Sequence, residues 1–369
     1  MPPKSISHTI LISPATVTSL AALILVGLII GNSAGDPLSL ANIGSRFSLG
    51  DPNGSKGYDG QFVYYIAREA TPESAAPYLD EPAYRYQRIL LPLLARLLSF
   101  TNLSLIPWAI VAINILAHIA GTWIVSSILE KWSISRWYAL TYGLWVGFML
   151  AIRLDLPEPL AYALVAAAIG SKMRQHDRLS WVFYGLALFA KEITGLFVAA
   201  AALHALTRKN WREVAGLVTV SLLPYITFQL WLWRTFGQPG IASGGEMATP
   251  FEYLPFMGLL RIAVYSVPYF IAMLAVFGPG IVVPTVWGLY SAGKKVFSFS
   301  DERIAYFLLL NSLIMLFLPF STYRETGGIL RFACGLVLSV LLFAGRYRQI
   351  RVLNYTLLWM VFNVFLVKS

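Results

Sequence analysis

Apolar runs of about the length of a membrane span alternate with short polar breaks along almost the whole chain, and nothing in the pattern reads as alternating strands. Residues 10–30 form the first run. It is longer than a signal-peptide core and offers no clear cleavage site, so it reads as a retained span with a cytoplasmic N-terminus. Residues 88–100 are apolar but would make a helix only about 20 Å long, short of the roughly 30 Å hydrocarbon core, and are expected to lie in or dip into the outer leaflet. Further crossings are predicted at 103–129, 137–152, 160–169, 214–233, 265–292, 304–319, 329–344 and 353–367. The segment 265–292 is broken by Pro268, Pro279 and Pro284. The run 179–206 has basic clusters at both ends and Lys191-Glu192 at its centre. One straight helix would put two charges at mid-bilayer, so a pair of short helices turning at Lys191-Glu192 is predicted instead. The total is eleven crossings in an all-α polytopic chain.

Composition excludes the soluble alternative. Hydrophobic residues make up 57% of the chain and charged residues 12%, against about 25% charged in soluble domains. In the predicted topology the whole net charge of +10 falls on the inner side, as the positive-inside rule requires. The basicity therefore implies no nucleic-acid partner. Cys334 is the single cysteine and lies in an apolar run, which excludes an intrachain disulfide and a thiolate metal site. The histidines at 8, 118, 176 and 204 lack ligand spacing.

The long polar stretch 56–88 interrupts this regularity. It gathers Asp59, Glu69, Glu73, Asp80, Glu81, Arg68, Arg85, Arg88 and six tyrosines where a simple transporter would have a short hairpin. Tyr58-Asp59 lies between two glycines, which allows a sharp turn with an exposed carboxylate. The spacing of Phe62, Tyr65 and Ile66 predicts a short amphipathic helix on the membrane surface. This stretch is expected to carry a catalytic carboxylate, framed by the spans. Other ionisable groups collect on the same predicted face: Arg153, Asp155, Glu158, Lys191, Glu192, Arg324 and Arg331. Charges at membrane depth are costly and mark functional sites. Each also has a plainer explanation. Asp155 could cap the helix begun by Pro157-Glu158. Lys191-Glu192 could be a local ion pair, Arg324 and Arg331 interfacial anchors, and Gly57-Tyr58-Asp59-Gly60 a turn.

The order of these motifs resembles the GT-C class of integral membrane glycosyltransferases, in the aminoarabinose and protein mannosyltransferase branch. There an acid follows the first span, as Asp59 does in GYDGQFVYY, although many members have a second acid where this chain has Gly60. An arginine followed by an acid after a later crossing resembles Arg153-Leu154-Asp155 with Glu158. A lysine at the tip of a helix pair resembles Lys191, and YRYQRILLPLLARLLSF resembles a juxtamembrane proline-containing helix. The likeness runs from residue 10 to 206.

It implies inverting transfer of a sugar from a polyprenyl-phosphate donor to a glycan, lipid or protein acceptor on the extracytoplasmic face of a prokaryotic inner membrane. Asp59 would be the base, with Asp155 and Glu158 beside it. Lys191, Arg331, Arg153 and Arg324 would face the donor phosphate, supported by Tyr58, Tyr64, Glu192, Arg85 and Arg88. It fixes no cofactor: a divalent Mg or Mn ion held by Asp59, Asp155 and Glu158 stays open. The chain would be one integral membrane domain, with an outer loop and juxtamembrane helices at 32–103, family-like spans at 104–206 and C-terminal spans at 207–369. The alternative is a secondary transporter or lipid flippase, which should show an internal repeat and midplane charges.

Overall fold

The computed structural model describes residues 12–298 and 302–366. The expected cytoplasmic N-terminus, with Lys4 and His8, lies outside the described residues, as do the first residues of the 10–30 run and Val367. No strand occurs among the described residues. Thirteen helices among the described residues build the bundle and its ends. They are α1 (Pro14–Asn32), α2 (Gly60–Arg68), α3 (Leu90–Leu98), α4 (Leu103–Lys131), α5 (Val146–Arg153), α6 (Glu158–Met173), α7 (Asp177–Ala190), α8 (Gly195–Thr207), α9 (Trp211–Phe236), α10 (Val267–Phe297), α11 (Arg303–Leu316), α12 (Thr326–Arg346) and α13 (Ile350–Val364). Five of them, α1, α4, α9, α10 and α12, are long and apolar enough to cross a membrane, and α11, α13 and the segment Glu192–Thr207 are shorter apolar helices.

Local chemistry accounts for where several of these begin. Ser13 accepts a hydrogen bond from the Thr16 amide at 3.1 Å and Pro14 follows, so α1 starts with a side-chain cap and a residue that needs no amide partner. The prolines of 265–292 do not break the helix there. Pro268 is the second residue of α10, just after the capping Ser266, and Pro279 falls in a π-helical turn, Gly278–Val282, where the Pro279 carbonyl accepts from the Tyr355 hydroxyl at 2.6 Å. The 179–206 run divides as its charges predict. Lys191 is extended (φ −158°), which ends α7, and a short turn at Glu192–Thr194 leads into α8.

The hub of the bundle is α12, whose residues from Cys334 to Gly345 are all buried. A helix apolar on every side belongs either in lipid or in a core, and here α4, α6, α10, α11 and α13 pack around it. Rings join neighbouring helices across this core: Phe148 to Tyr162 at 5.6 Å, Tyr162 to Phe197 at 6.3 Å, and Phe197 to Phe307 at 5.3 Å between centroids.

Two local expectations change. The amphipathic helix α2 does not lie free on a surface. Phe62, Val63, Tyr65 and Ile66 are all buried, with the Phe47 ring edge-on to Phe62 and the Tyr78 ring stacked on Tyr65. Arg96 of α3 donates to the last carbonyls of the segment, those of Ala67, Arg68 and Glu69, at 2.9, 2.8 and 3.1 Å, and so binds α2 to α3. Residues 137–152 are two short turns followed by α5 rather than one rod. The chain bends there so that the buried Trp145 indole can donate to the Leu330 carbonyl at 2.9 Å.

Candidate functional site

Asp59 sits in the turn that opens α2, and the turn is fixed from behind. The fully buried Gln61 accepts from the Gly44 amide at 3.1 Å and donates to the Lys56 carbonyl at 2.7 Å, while the Tyr58 amide donates to the Asn42 carbonyl at 2.9 Å. Gly57 has φ +64°, open to glycine at little cost. At Gly60 a Cβ would come within 2.1 Å of the Leu154 carbonyl oxygen. The segment after α5 therefore lies directly against the Asp59 turn, and an acid at position 60, as many GT-C proteins have, would not fit.

Around this turn a charge network assembles from distant parts of the chain. One oxygen of Asp59 lies 3.0 Å from Arg85 Nη1, the other 4.0 Å from Arg331 Nη1, and a third of the Asp59 side chain is exposed. Arg85 is aimed by a two-point contact with Asp80, at 2.7 and 2.8 Å, and its guanidinium lies 4.3 Å from the Phe62 ring centroid. Arg331 donates to Glu158 at 3.2 Å and to the Tyr58 hydroxyl at 2.9 Å, so it stands between the two carboxylates. Tyr58 in turn donates to Glu325. Lys191 Nζ lies 2.5 Å from Glu158 Oε1. Glu158 is fully buried at the start of α6, where the helix N-terminus also favours its negative charge. Arg88 grips Glu192 at 2.8 and 2.5 Å and donates to the Tyr84 hydroxyl at 2.7 Å. A cleft of ≈ 20 Å³ beside these groups is lined by Asp59, Arg85 and Arg88 together with Phe62, Pro92 and Leu156.

These contacts revise three of the plainer explanations. Lys191 and Glu192 do not pair with each other; their side chains reach separate partners on α6 and just before α3. Arg331 is buried within the network rather than anchored at a surface, whereas Arg324 is exposed beside the Phe320 ring, 5.8 Å from its centroid. Asp155 caps nothing: α6 has Pro157 at its cap position with no side-chain bond, and both Asp155 oxygens are buried without a hydrogen-bond partner among the described residues. Its backbone is left-handed (φ +53°), and burial pushes its carboxyl well above the usual carboxylate range.

The sequence-expected set therefore divides. Asp59, Glu158, Lys191, Arg331, Tyr58, Arg85, Arg88 and Glu192 form one connected region. Asp155 and Arg153 make no hydrogen bond or ion pair with it among the described residues, Arg324 stands outside it, and Tyr64 packs instead beside Arg68 and Tyr65. Nor do the residues suit a divalent ion: no group of three Asp, Glu, His or Cys side chains arranged to hold a metal occurs among the described residues. Asp59 and Glu158 are joined through Arg331, which would repel a cation between them. Asp80, Tyr84 and Glu325 complete the network. For Asp80 a faint signal existed, an acid five residues before Arg85 in the same polar stretch; Glu325, 267 positions from Tyr58, gave none.

No protein-family model, curated protein or solved structure matches this chain.

Proposed function

We propose that the protein is a membrane glycosyltransferase of the GT-C kind, moving a sugar from a polyprenyl-phosphate donor to an acceptor hydroxyl at the Asp59 end of the bundle. The observation that carries this reading is the convergence of an accessible carboxylate, Asp59, with Arg85, Arg331 and Lys191, drawn from three separate regions of the chain. A transporter would concentrate its charges near the midplane between repeats, and no such repeat is visible in the sequence.

Asp59 is poised to be ionised. Burial alone would raise its carboxyl, but Arg85, Arg331, Arg88 and Lys191 outweigh burial and hold it below the usual carboxylate range. A weakly basic carboxylate suits a late proton transfer. As the acceptor oxygen bonds to the anomeric carbon and the carbon–oxygen bond to phosphate breaks, the bonding pair leaves with the phosphate. The acceptor proton becomes strongly acidic and passes to Asp59. Lys191 and Arg331 would stabilise the charge growing on the leaving phosphate, with Arg85 and Arg88 keeping the carboxylate side of the site in register. No step in this scheme runs through a metal. A reconstituted sample given a panel of polyprenyl-phosphate sugars is expected to release polyprenyl phosphate from one of them in an acceptor-dependent way. Turnover of none, with acceptors of all three classes present, would overturn the reading.

The pH dependence follows from the sign of the Asp59 shift. A depressed carboxyl stays ionised until the pH falls through its lowered value, so transfer should be flat through neutrality, with an acidic limb only below the ordinary carboxylate range. Arg85→Gln removes the nearest cation and leaves burial less opposed, so the limb should move to higher pH. An unmoved limb in that variant would detach Asp59 ionisation from the rate.

In the same reading the shorter helices complete eleven crossings, with the Asp59 end extracytoplasmic. Ser55 is exposed beside the Asp59 turn, and Gln175 and Lys209 are exposed at the far ends of α6 and α8. Cysteines at 175 and 209 should label from one face and a cysteine at 55 from the other, without interference from the buried Cys334. Labelling of all three from one face would invalidate the topology.

A further inference from the structure

The helices α6 and α12 each start in the Asp59 network, at Glu158 and near Arg331, and run about 20 Å to the opposite end of the bundle. There they frame a cavity of ≈ 480 Å³ that the proposed transfer does not use. Its lining holds four cations, Lys131, Lys172, Arg303 and Arg346, and one acid, Glu302, with Trp132, Ile169 and Phe307 as apolar wall. The cavity opens to the surface, with Lys131 and Arg346 exposed at its rim, and a space of this size is in the range of small-ligand pockets.

The charges around it are unevenly satisfied. Lys172 is held by Asp177 and Glu213, Arg303 by Glu213 at 2.9 Å, and Arg346 by Glu302 at 2.9 Å. Lys131 donates only to the Met173 carbonyl, at 2.6 Å, and has no carboxylate partner among the described residues. Arg303 also faces the Tyr184 hydroxyl, and its buried Nη1 has no carboxylate partner among the described residues. Cations at the ends of α4, α6 and α12 would complement those helix termini without any cavity. An open cavity bordered by an exposed ammonium without a counter-ion and a buried guanidinium N–H without a carboxylate offers an anion two cationic donors.

We propose that this cavity binds a phosphate group, with the oxygens taken by Lys131 and Arg303 and the organic portion resting on Trp132, Ile169 and Phe307. Tetrahedral phosphate oxygens match these donors, and charge-assisted bonds of this kind are among the stronger ones available. The phosphate can belong to a lipid headgroup of the adjoining leaflet or to a soluble ester. The site is independent of the transfer reaction, and its test does not read activity.

The test is a titration of the thermal midpoint of the detergent-purified chain with phosphatidic acid, phosphatidylcholine and inorganic phosphate in parallel. Saturable stabilisation is expected with phosphatidic acid or with phosphate, and not with phosphatidylcholine. A response to phosphatidic acid alone assigns the site to a lipid headgroup; a response to inorganic phosphate as well assigns it to phosphate as such. Lys131→Ala should weaken the apparent affinity about 10-fold or more, Lys131→Arg should restore most of it, and Arg178→Ala, an exposed cation outside the cavity, should change little. Stabilisation by phosphatidylcholine equal to that by phosphatidic acid, no saturable response, or equal weakening in Arg178→Ala and Lys131→Ala would each overturn the proposal.

Discussion

Asp59→Asn is expected to lower sugar transfer by about 100-fold or more while leaving donor binding and fold in place. The substitution keeps the shape of the side chain and its preference for turns, and the turn itself is held by Gln61, the Asn42 carbonyl and the close fit at Gly60 rather than by the carboxylate. Arg85 keeps its two-point contact with Asp80, and Arg331 keeps Glu158 and the Tyr58 hydroxyl, so neither cation is left stranded. What disappears is the one group at the mouth of the cleft able to accept the proton. The measurement pairs turnover of the donor identified with wild type against donor binding by the purified variant. Turnover equal to wild type would remove Asp59 from the mechanism. Glu158 would not be the natural substitute, because it is fully buried and already engaged by two cations.

Much of this region could be read from the chain alone, and the parts that could not share a physical cause. The helix break at Lys191 was legible because two charges at mid-membrane are costly enough to force a turn. The charge network seeded by residues 56–88 was legible because nothing else in the chain is polar for so long. By contrast, the amphipathic spacing of α2 reports only that one face is apolar. It does not say whether that face meets lipid or protein, and here Arg96, Phe47 and Tyr78 make it protein. The run around Leu336 reads the same in a span facing lipid and in a central helix, which is why α12 as hub was invisible. Asp155 misled for a local reason. Its spacing to Pro157-Glu158 fits a cap, but a cap needs an extended backbone, and the left-handed conformation at 155 leaves the oxygens without an amide to accept from. Contacts such as Tyr58 to Glu325 depend on how the last third of the chain folds back over the first loop, and no local pattern encodes that.

The second large effect concerns Lys191, whose removal should cost stability and activity by separable routes. Glu158 is fully buried and relies on Lys191 at 2.5 Å and Arg331 at 3.2 Å. Breaking a buried ion pair from one side costs about 3–5 kcal/mol, because the remaining charge is left uncompensated. Arg331 still offsets part of that charge, so Lys191→Met should fall near the lower figure, about 3 kcal/mol in unfolding free energy measured in mixed micelles. Glu158→Gln alone also leaves a buried cation short of a partner. The double variant Lys191→Met with Glu158→Gln removes both charges together, and should recover about 2 kcal/mol or more relative to the sum of the single variants. Transfer should not recover with it, since the leaving phosphate has still lost a cation worth about 1.5–3 kcal/mol, or roughly 10- to 100-fold in rate. A double variant that regains turnover along with stability would make Lys191 a positioning residue for Glu158 and leave Arg331 as the cation on the phosphate. Failure of the stability to recover would instead mean that the 2.5 Å contact does not govern how α6 and the Lys191 turn are held together.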